Sequence, residues 1–500
     1  MGHFGFVREA PFRRTSPCDT LHQHDAEPAP VRRFAFSGYC VNHHQNRPGL
    51  VWFRRDLRLD DNPAWAAATA AHDEVVAIFV IEPGLMTAAG SIRRDQLLAH
   101  LHSLHDELRS LGGGIVVRTG PASTAVPRAL IDCNASALYF NVDTTPFSAA
   151  RDRAVERSAT VPVHSFHGHT VHEPGAVLTK SGTLSQVFAP FYSKWSARPL
   201  SPWPAGGNGR PVTMSGEPIP LPSGPVRQEP GEQAAWRRLN TWLEDVDRYP
   251  QTRDLPAIEG TSALSADLKF GTLAARTVVD IVGTTTPGRA AFTRQIAWRD
   301  WWTHTLALRP DLPNAALRQQ YDRIAWLDDP EGFDHWCTGT TGYPIVDAGM
   351  RQLVETGWMH NRVRMICASF LVKDLLIDWR RGERFFRHHL VDADVAQNAG
   401  NWQWVAGTGP DAAPYFRVFN PTVQSRKFDP KGDYIRRWLP QLQQVPSSII
   451  HEPAAAGPLD LAAAGVTLGD TYPWPVVDHG HARLRAISAY KQALSDNAAC

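Results

Sequence analysis

Residues 392–404 read DADVAQNAGNWQW, a run of aspartates, amides and tryptophans in a chain where Trp (17) outnumbers Tyr (10). Aspartate and asparagine are rarely buried without partners, and a buried indole N–H needs an acceptor. The run therefore suits the wall of a site for a flat polar heterocycle. A polar loop beside an ordinary core would use the same residue types. A second candidate is Gly260-Thr261-Ser262-Ala263-Leu264-Ser265, where three hydroxyls and several backbone amides fall at the start of a predicted helix. Such a turn can donate to phosphate oxygens without bringing a competing charge, although N-capping alone would also select Thr and Ser here.

These segments need domains to hold them, and 500 residues with 43% hydrophobic content are too many for one core. Residues 1–48 carry His, Pro and Arg without periodicity and are expected to form a disordered extension. Strand-like runs at 50–53, 75–81, 114–119 and 137–142 then alternate with helical stretches at 93–111 and 123–133. That alternation predicts a doubly wound parallel α/β domain over 49–180. The first strand runs into WFRRDLRLDDNPA rather than GxGxxG, which argues against a classical dinucleotide site there. Pro and Gly are dense between 199 and 232, so residues 181–235 are read as a linker. Helical patterns at 233–247, 287–308, 345–355, 360–380, 382–390 and 433–443 predict an all-helical domain over 236–490, with a tail at 491–500.

Composition leaves the partner open. The formal net charge is +1, so any nucleic-acid surface must be a local patch. No apolar run approaches membrane-spanning length and no secretory h-region is visible, which makes the cytoplasm the expected location. The six cysteines, at 18, 40, 133, 337, 367 and 500, form no CxxC pair, so reduced separate thiols are expected and a zinc site is not.

WFRRDLRLDDNP, WRDWW at 298–302, GYPIVDAGMRQL at 342–353, GWMHNRVRMICASFLVKDLLIDWR at 357–380 and DADVAQNAGNWQW occur in one order along the chain. Together they resemble the photolyase/cryptochrome family over roughly residues 49–490, most nearly the class I enzymes that act on cyclobutane pyrimidine dimers. The resemblance implies an antenna domain, a long linker and a helical domain holding FAD. It further implies that Tyr249, Thr261, Ser262, Ala263, Leu264, Ser265, Phe292, Arg299, Asn361 and Arg364 contact the cofactor. Asp392, Ala393 and Asp394 would face its flavin and adenine side, and Asn398 would lie against flavin N5. An amide there can accept from N5–H without adding negative charge. Trp402, Trp379 and Trp326 fill the positions of the family's electron-transfer chain, in that order from flavin to surface.

For the lesion, the resemblance implies that Trp298 and Trp404 wall a flipped-out dimer in UV-damaged DNA, duplex or single-stranded, bordered by Asn361, Arg362 and Met365. Gln295 stands where the family carries a dimer-contacting Glu, which predicts repair at lower efficiency. Phosphate contacts fall to Arg253, Arg362, Gln424, Arg426 and Lys427. The family's Asn-Glu pair for a folate antenna is replaced by Phe147 and Ser148, which leaves a deazaflavin antenna, favoured over folate, or none. The protein is expected to act as a monomer without a membrane or a metal. A cryptochrome-type photoreceptor uses the same fold and FAD; Asn398, the pocket tryptophans and the ten residues after 490 weigh against it. A flavoprotein that has lost repair through Gln295 is the third reading.

Overall fold

A computed structural model describes residues 47–411 and 414–495 of the chain. The extension expected over 1–48 lies outside the described residues up to 46, whereas Arg47 and Pro48 are held in place. Arg47 donates to the carbonyls of Asn134 (2.9 Å) and Ala135 (2.8 Å), and the Pro48 carbonyl accepts from Ser136 N.

The central strands are short apolar runs buried almost end to end, whereas the edge strands Ile115–Thr119 and Val163–Phe166 are more open. β1 (Gly49–Phe53), β2 (Glu74–Ile81), β3 (Ile115–Thr119), β4 (Ala137–Asn141) and β5 (Val163–Phe166) pair in parallel in the order β3-β2-β1-β4-β5. Gly49 lies beside Val75 on one side and Ala137 on the other. Side chains alternate across the sheet, so Val51 and Phe53 enter one core with Leu98, Leu101 and Leu104, while Leu50 and Trp52 enter another with Val126 and Ala129. Helices on both faces complete the doubly wound domain that the alternation predicts.

The Pro- and Gly-rich connection holds more structure than its composition suggests. It contains the Phe188–Ala197 helix and a sixth strand, β6 (Arg210–Val212), which adds to β2. Phe188, Phe191 and Trp195 are buried in the helical domain's core, and that apolar face pulls the segment out of the extended form.

The second domain is helical throughout. The Pro287–Leu308 helix matches the predicted 287–308, with Thr286 capping it through a bond from Arg289 N. The helix predicted over 360–380 is instead broken. An α-helix at Asn361–Ser369 runs into a π-turn at Phe370–Asp374, Leu376 turns to φ 54°, and a new helix begins at Trp379 under an Asp378 cap. The apolar run keeps a helical period across the break, so periodicity alone misses it; the Asp378 carboxylate offers the Arg380 N–H an alternative to the helix ladder. The predicted 433–443 helix stops at Trp438 because Leu439 precedes Pro440 and leaves the helical region, with φ −126° and ψ 78°. At the other end the last helix, His479–Ser495, runs into the expected tail, of which residues 496–500 lie outside the described residues. Among the described residues no helix is long and apolar enough to cross a membrane.

Candidate cofactor and lesion site

The Val395–Ala406 helix organises the site. Asp394 caps it by accepting from Gln397 N at 3.1 Å, and Gly407 closes it with φ 83°. Along it stand Asn398 and Trp402, both buried, and Trp404, half-buried. Gly400 permits the approach of the neighbouring helix, since a Cβ there would lie 2.4 Å from the Trp302 ring. The Asn398 amide nitrogen donates to both the carbonyl and the Oε1 of Glu383, each at 2.9 Å. Two acceptors on one side fix the orientation of that amide. Its Oδ1 then accepts from no described residue and remains an acceptor for a ligand. Burial pushes the Glu383 carboxyl up, against the opposing pull of Arg387 at 3.4 Å and the Asn398 amide.

Arg364 meets Asp392 through two parallel bonds, of 3.1 and 2.9 Å, and its Nε donates to the Met359 carbonyl at 2.7 Å. It projects from the Asn361–Ser369 helix, which His360 caps by accepting from Arg362 N. Asp394 is tied to the other domain: Arg55, just after β1, pairs with it and with Asp143. His169 and Lys269 complete the surroundings. Burial opposes a charge on Asp394, yet Arg55, His169 and Lys269 hold its carboxyl well below the usual range. Burial and the nearby Arg55 in turn lower Lys269 to about 7. Arg299 donates to the His169 and Leu268 carbonyls at 2.8 and 3.1 Å. Ala393, between the two aspartates, is buried.

At the Thr261–Ser265 turn Ala263 has φ 53°, Leu264 is buried beneath it, and Ser262 Oγ accepts from Leu264 N. Thr261 and Ser262 are half-buried and Ser265 is exposed at the start of the Ser265–Phe270 helix, so their hydroxyls stay reachable. Tyr249 and Phe292 meet edge to face at 5.6 Å within the adjacent core. These features fit FAD: an unclaimed amide acceptor for the ring, and reachable hydroxyls with half-buried arginines for a diphosphate.

Trp402 packs so closely on the Trp379–His389 helix that a Cβ on Gly382 would lie 2.3 Å from its Cη2. Trp379 begins that helix and is buried, and half-buried Trp326 lies next to the segment leading into it, with Leu327 N donating to Leu376 O. Trp336, which sequence reading did not single out, lies 6.1 Å from Trp402 between ring centroids.

Among the lesion candidates, Trp298 is half-buried with one face on Phe188, at 3.8 Å and 13°. Trp404 packs against both cores of the helical domain, and Asn361 is exposed with its amide 3.9 Å from Met365 Sδ. Gln295, one turn before Trp298, spends its amide on its own helix at the Ala291 carbonyl, 3.4 Å away. Arg362 is paired with Asp254 at 2.8 Å and lies over Phe428, while Arg426 pairs with Glu452 at 3.2 Å. Arg253 lies 5.7 Å from the Tyr249 ring; Gln424 and Lys427 share the Pro421–Phe428 helix with Arg426. Thus two of the expected phosphate contacts already have carboxylate partners.

The antenna positions are occupied differently from the family pair. Phe147 is exposed, and Ser148 donates to Asp143 at 3.1 Å. The guanidiniums of Arg54 and Arg151 lie 4.5 and 4.9 Å from the Trp52 ring. Sequence reading missed Phe188, Glu383, Arg55, His169 and Lys269. Arg55 sits inside a quoted motif, but its partner is 339 residues away, and no local pattern carries that distance.

The family model of DNA photolyase matches residues 49–208, and that of the FAD binding domain of DNA photolyase matches residues 292–492. A deoxyribodipyrimidine photo-lyase of Agrobacterium fabrum is 39% identical over 471 residues, covering 89% of this chain and 97% of that protein. The crystal structure of a bacterial class III photolyase from Agrobacterium tumefaciens is similar with a TM-score of 0.85 at 38% identity, over 90% of this chain and 98% of that one. A Synechocystis cryptochrome is similar with a TM-score of 0.81 at 27% identity, over 89% of this chain and 99% of that one.

Proposed function

Because the chain belongs to the DNA photolyase family, we propose that it splits cyclobutane pyrimidine dimers in UV-damaged DNA under light, with FAD as its cofactor. The observation that carries this reading is one helix presenting an unclaimed amide acceptor at Asn398, a buried indole at Trp402 and a half-exposed one at Trp404. FAD, when bound and reduced, supplies a photoexcited electron donor, the hard part of the chemistry.

The chain's own residues do the rest. Asn398 Oδ1 would offer the flavin ring an acceptor, with Glu383 holding the amide in place. Tyr249, Thr261, Ser262, Ser265 and Arg299 would hold the cofactor's phosphates and sugar, with the backbone of Ala263 and Leu264 and the ring of Phe292 shaping the cradle. Arg364, locked by Asp392, would add a contact to the phosphates and sugar, while Asp392, Ala393 and Asp394 would face the flavin and adenine side and Asn361 would add a further contact. Trp326, Trp379 and Trp402 pass electrons inward from the surface. Trp298 and Trp404 stack on the extruded dimer at about 1–3 kcal/mol per base, comparable to the few kcal/mol of unstacking. Phe188 backs Trp298, so only its other face serves the lesion. Asn361, Met365 and Gln295 border the dimer, and Arg253, Arg362 and Gln424 hold flanking phosphates. A deazaflavin is the antenna chromophore favoured over folate, because Phe147 and Ser148 cannot supply the amide-carboxylate pair.

The test is to incubate the reduced holoprotein with an oligonucleotide containing one thymine dimer, in blue light and in darkness, and to follow the lesion by chromatography. Light-dependent loss, with a (6-4) lesion left intact, is the expected result. Bound, photoreducible FAD with a surviving dimer would overturn it in favour of the photoreceptor reading or, through Gln295, of a flavoprotein that has lost repair.

A further inference from the structure

Away from this site, a groove of about 670 Å³ runs between the Pro63–Ala71 helix, the end of the Ser91–Ser110 helix and the connection from Trp203 to Pro211. Its volume is that of a small-ligand cleft. Trp65 and Trp203 stand in its wall with Leu59 and Leu111, and Asp60, Asp61 and Glu107 add carboxylates. The connecting wall is pressed against the helix: a Cβ on Gly207 would lie 2.4 Å from the Thr69 carbonyl, and one on Gly209 2.2 Å from that of His72.

Carboxylates outnumber cations in the groove's lining, where Asp60, Asp61 and Glu107 face a single guanidinium, that of Arg210. Burial, and then Asp60, push the Glu107 carboxyl up; burial raises Asp61 as well. Directly behind, Glu232 is 3% exposed and accepts from Leu59 N (2.7 Å) and Asp60 N (3.4 Å) through one oxygen only. Its other oxygen has no hydrogen-bond donor among the described residues, and burial raises the group to about 7. The nearby cations are engaged elsewhere. Arg58 donates to the carbonyls of Asp61, Gly168 and Gly271, Arg210 pairs with Glu74, and Arg276 lies over Trp203 at 4.6 Å with its hydrogen bond to the Ser201 carbonyl. None of the four carboxylates makes a direct ion pair among the described residues.

We propose that this groove binds a linear polyamine, an aliphatic chain carrying two or more ammonium groups. The ammoniums neutralise the carboxylates, and the methylenes lie along the apolar wall formed by Trp203 and Leu111. Phosphates, nucleotides and folates are disfavoured by like charge. The inference is independent of the repair reading, and neither depends on the other's outcome.

Spermidine titrated into the full-length holoprotein, free of DNA and at low ionic strength, tests it by calorimetry. Saturable uptake is expected, abolished by about 0.5 M salt and weakened about tenfold in Asp60→Asn/Glu107→Gln, two lost contacts at up to about 1 kcal/mol each. Glu107→Gln alone, which is isosteric, should weaken it about threefold and covers the case in which the double variant fails to fold. Absence of saturable uptake up to about 10 mM, an affinity too weak for a built site, or uptake unchanged in a folded carboxylate variant, would overturn the proposal.

Discussion

Arg55→Met should separate the two domains' contributions to the cofactor helix. The substitution keeps an apolar stem of similar reach and removes the guanidinium that pairs with Asp394, the cap of the Val395–Ala406 helix, and with Asp143 at 3.4 Å. The pair is largely buried, with side chains 15% and 7% exposed. At an effective dielectric of 20 a contact pair of unit charges is worth about 4 kcal/mol. Part of this survives, because Asp394 also accepts from Gln397 N at 3.1 Å and lies 3.9 Å from His169. The expected loss is therefore about 3 kcal/mol, the lower end for breaking a buried pair from one side. Urea unfolding followed by circular dichroism at neutral pH, with flavin content read by absorbance, measures it; Arg55→Met/Asp394→Asn should recover a substantial share. Acid supplies a second readout. A carboxyl held below its ordinary value gives stability that is fully present above the unfolded pKa of about 4 and is lost as pH falls through the lowered folded value. The wild type should lose stability with acid below about 4, and the variant should lose less there. A loss under about 1 kcal/mol, or identical acid profiles, would refute the assignment of the helix cap to the α/β domain.

Gln295→Glu introduces the carboxylate that the family resemblance implies one turn before Trp298 and, on the proposed function, should raise light-dependent repair several-fold, about 1 kcal/mol of added stabilisation, read as dimer loss at fixed light dose. Gly382→Ala drives a methyl to 2.3 Å from Trp402 and 2.5 Å from Leu371, so it should cost about 2 kcal/mol in melting experiments and slow photoreduction of the flavin, a split that a mutation remote from Trp402 would not produce. Binding of dimer-containing DNA should fall with salt at a slope of about −3.6 in log–log form if Arg253, Arg362, Arg426 and Lys427 each meet a phosphate, and Arg362→Gln should flatten it by about 0.9. A slope nearer −2 would mean that Arg362 and Arg426 keep their present partners Asp254 and Glu452 on the DNA.

Much of the fold was legible because it rests on local periodicity. Strands such as EVVAIFVI, buried almost end to end, and the Pro287–Leu308 helix with Thr286 before it and Pro287 at its start carry their signals within a few residues. Where the reading departs from the structure, a competing local interaction or a distant partner decides. The 361–380 run keeps its apolar period through a break fixed by Leu376 at φ 54° and the Asp378 cap. The Phe188–Ala197 helix forms inside a segment whose surroundings are rich in Pro and Gly, because a core 100 residues downstream accepts Phe188, Phe191 and Trp195.

The site divides in the same way. Its residue types were legible because Asn398, Trp402 and Trp404 lie on one short helix, but their settings are made by residues that sequence spacing cannot pair. Glu383 turns the Asn398 amide, so that its oxygen and not its nitrogen is free. Phe188 covers one face of Trp298, so that only the other is open to a ligand. Arg55 reaches from the sheet to the cap of the cofactor helix, so that helix depends for its first turn on a domain it does not belong to. A chromophore-binding helical domain expressed without the α/β domain would therefore remove both Arg55 and His169 from Asp394 and leave it Lys269 and the Gln397 N–H. The expected result is a poorly capped helix and weakened flavin retention, even with every flavin-facing side chain of the helical domain intact.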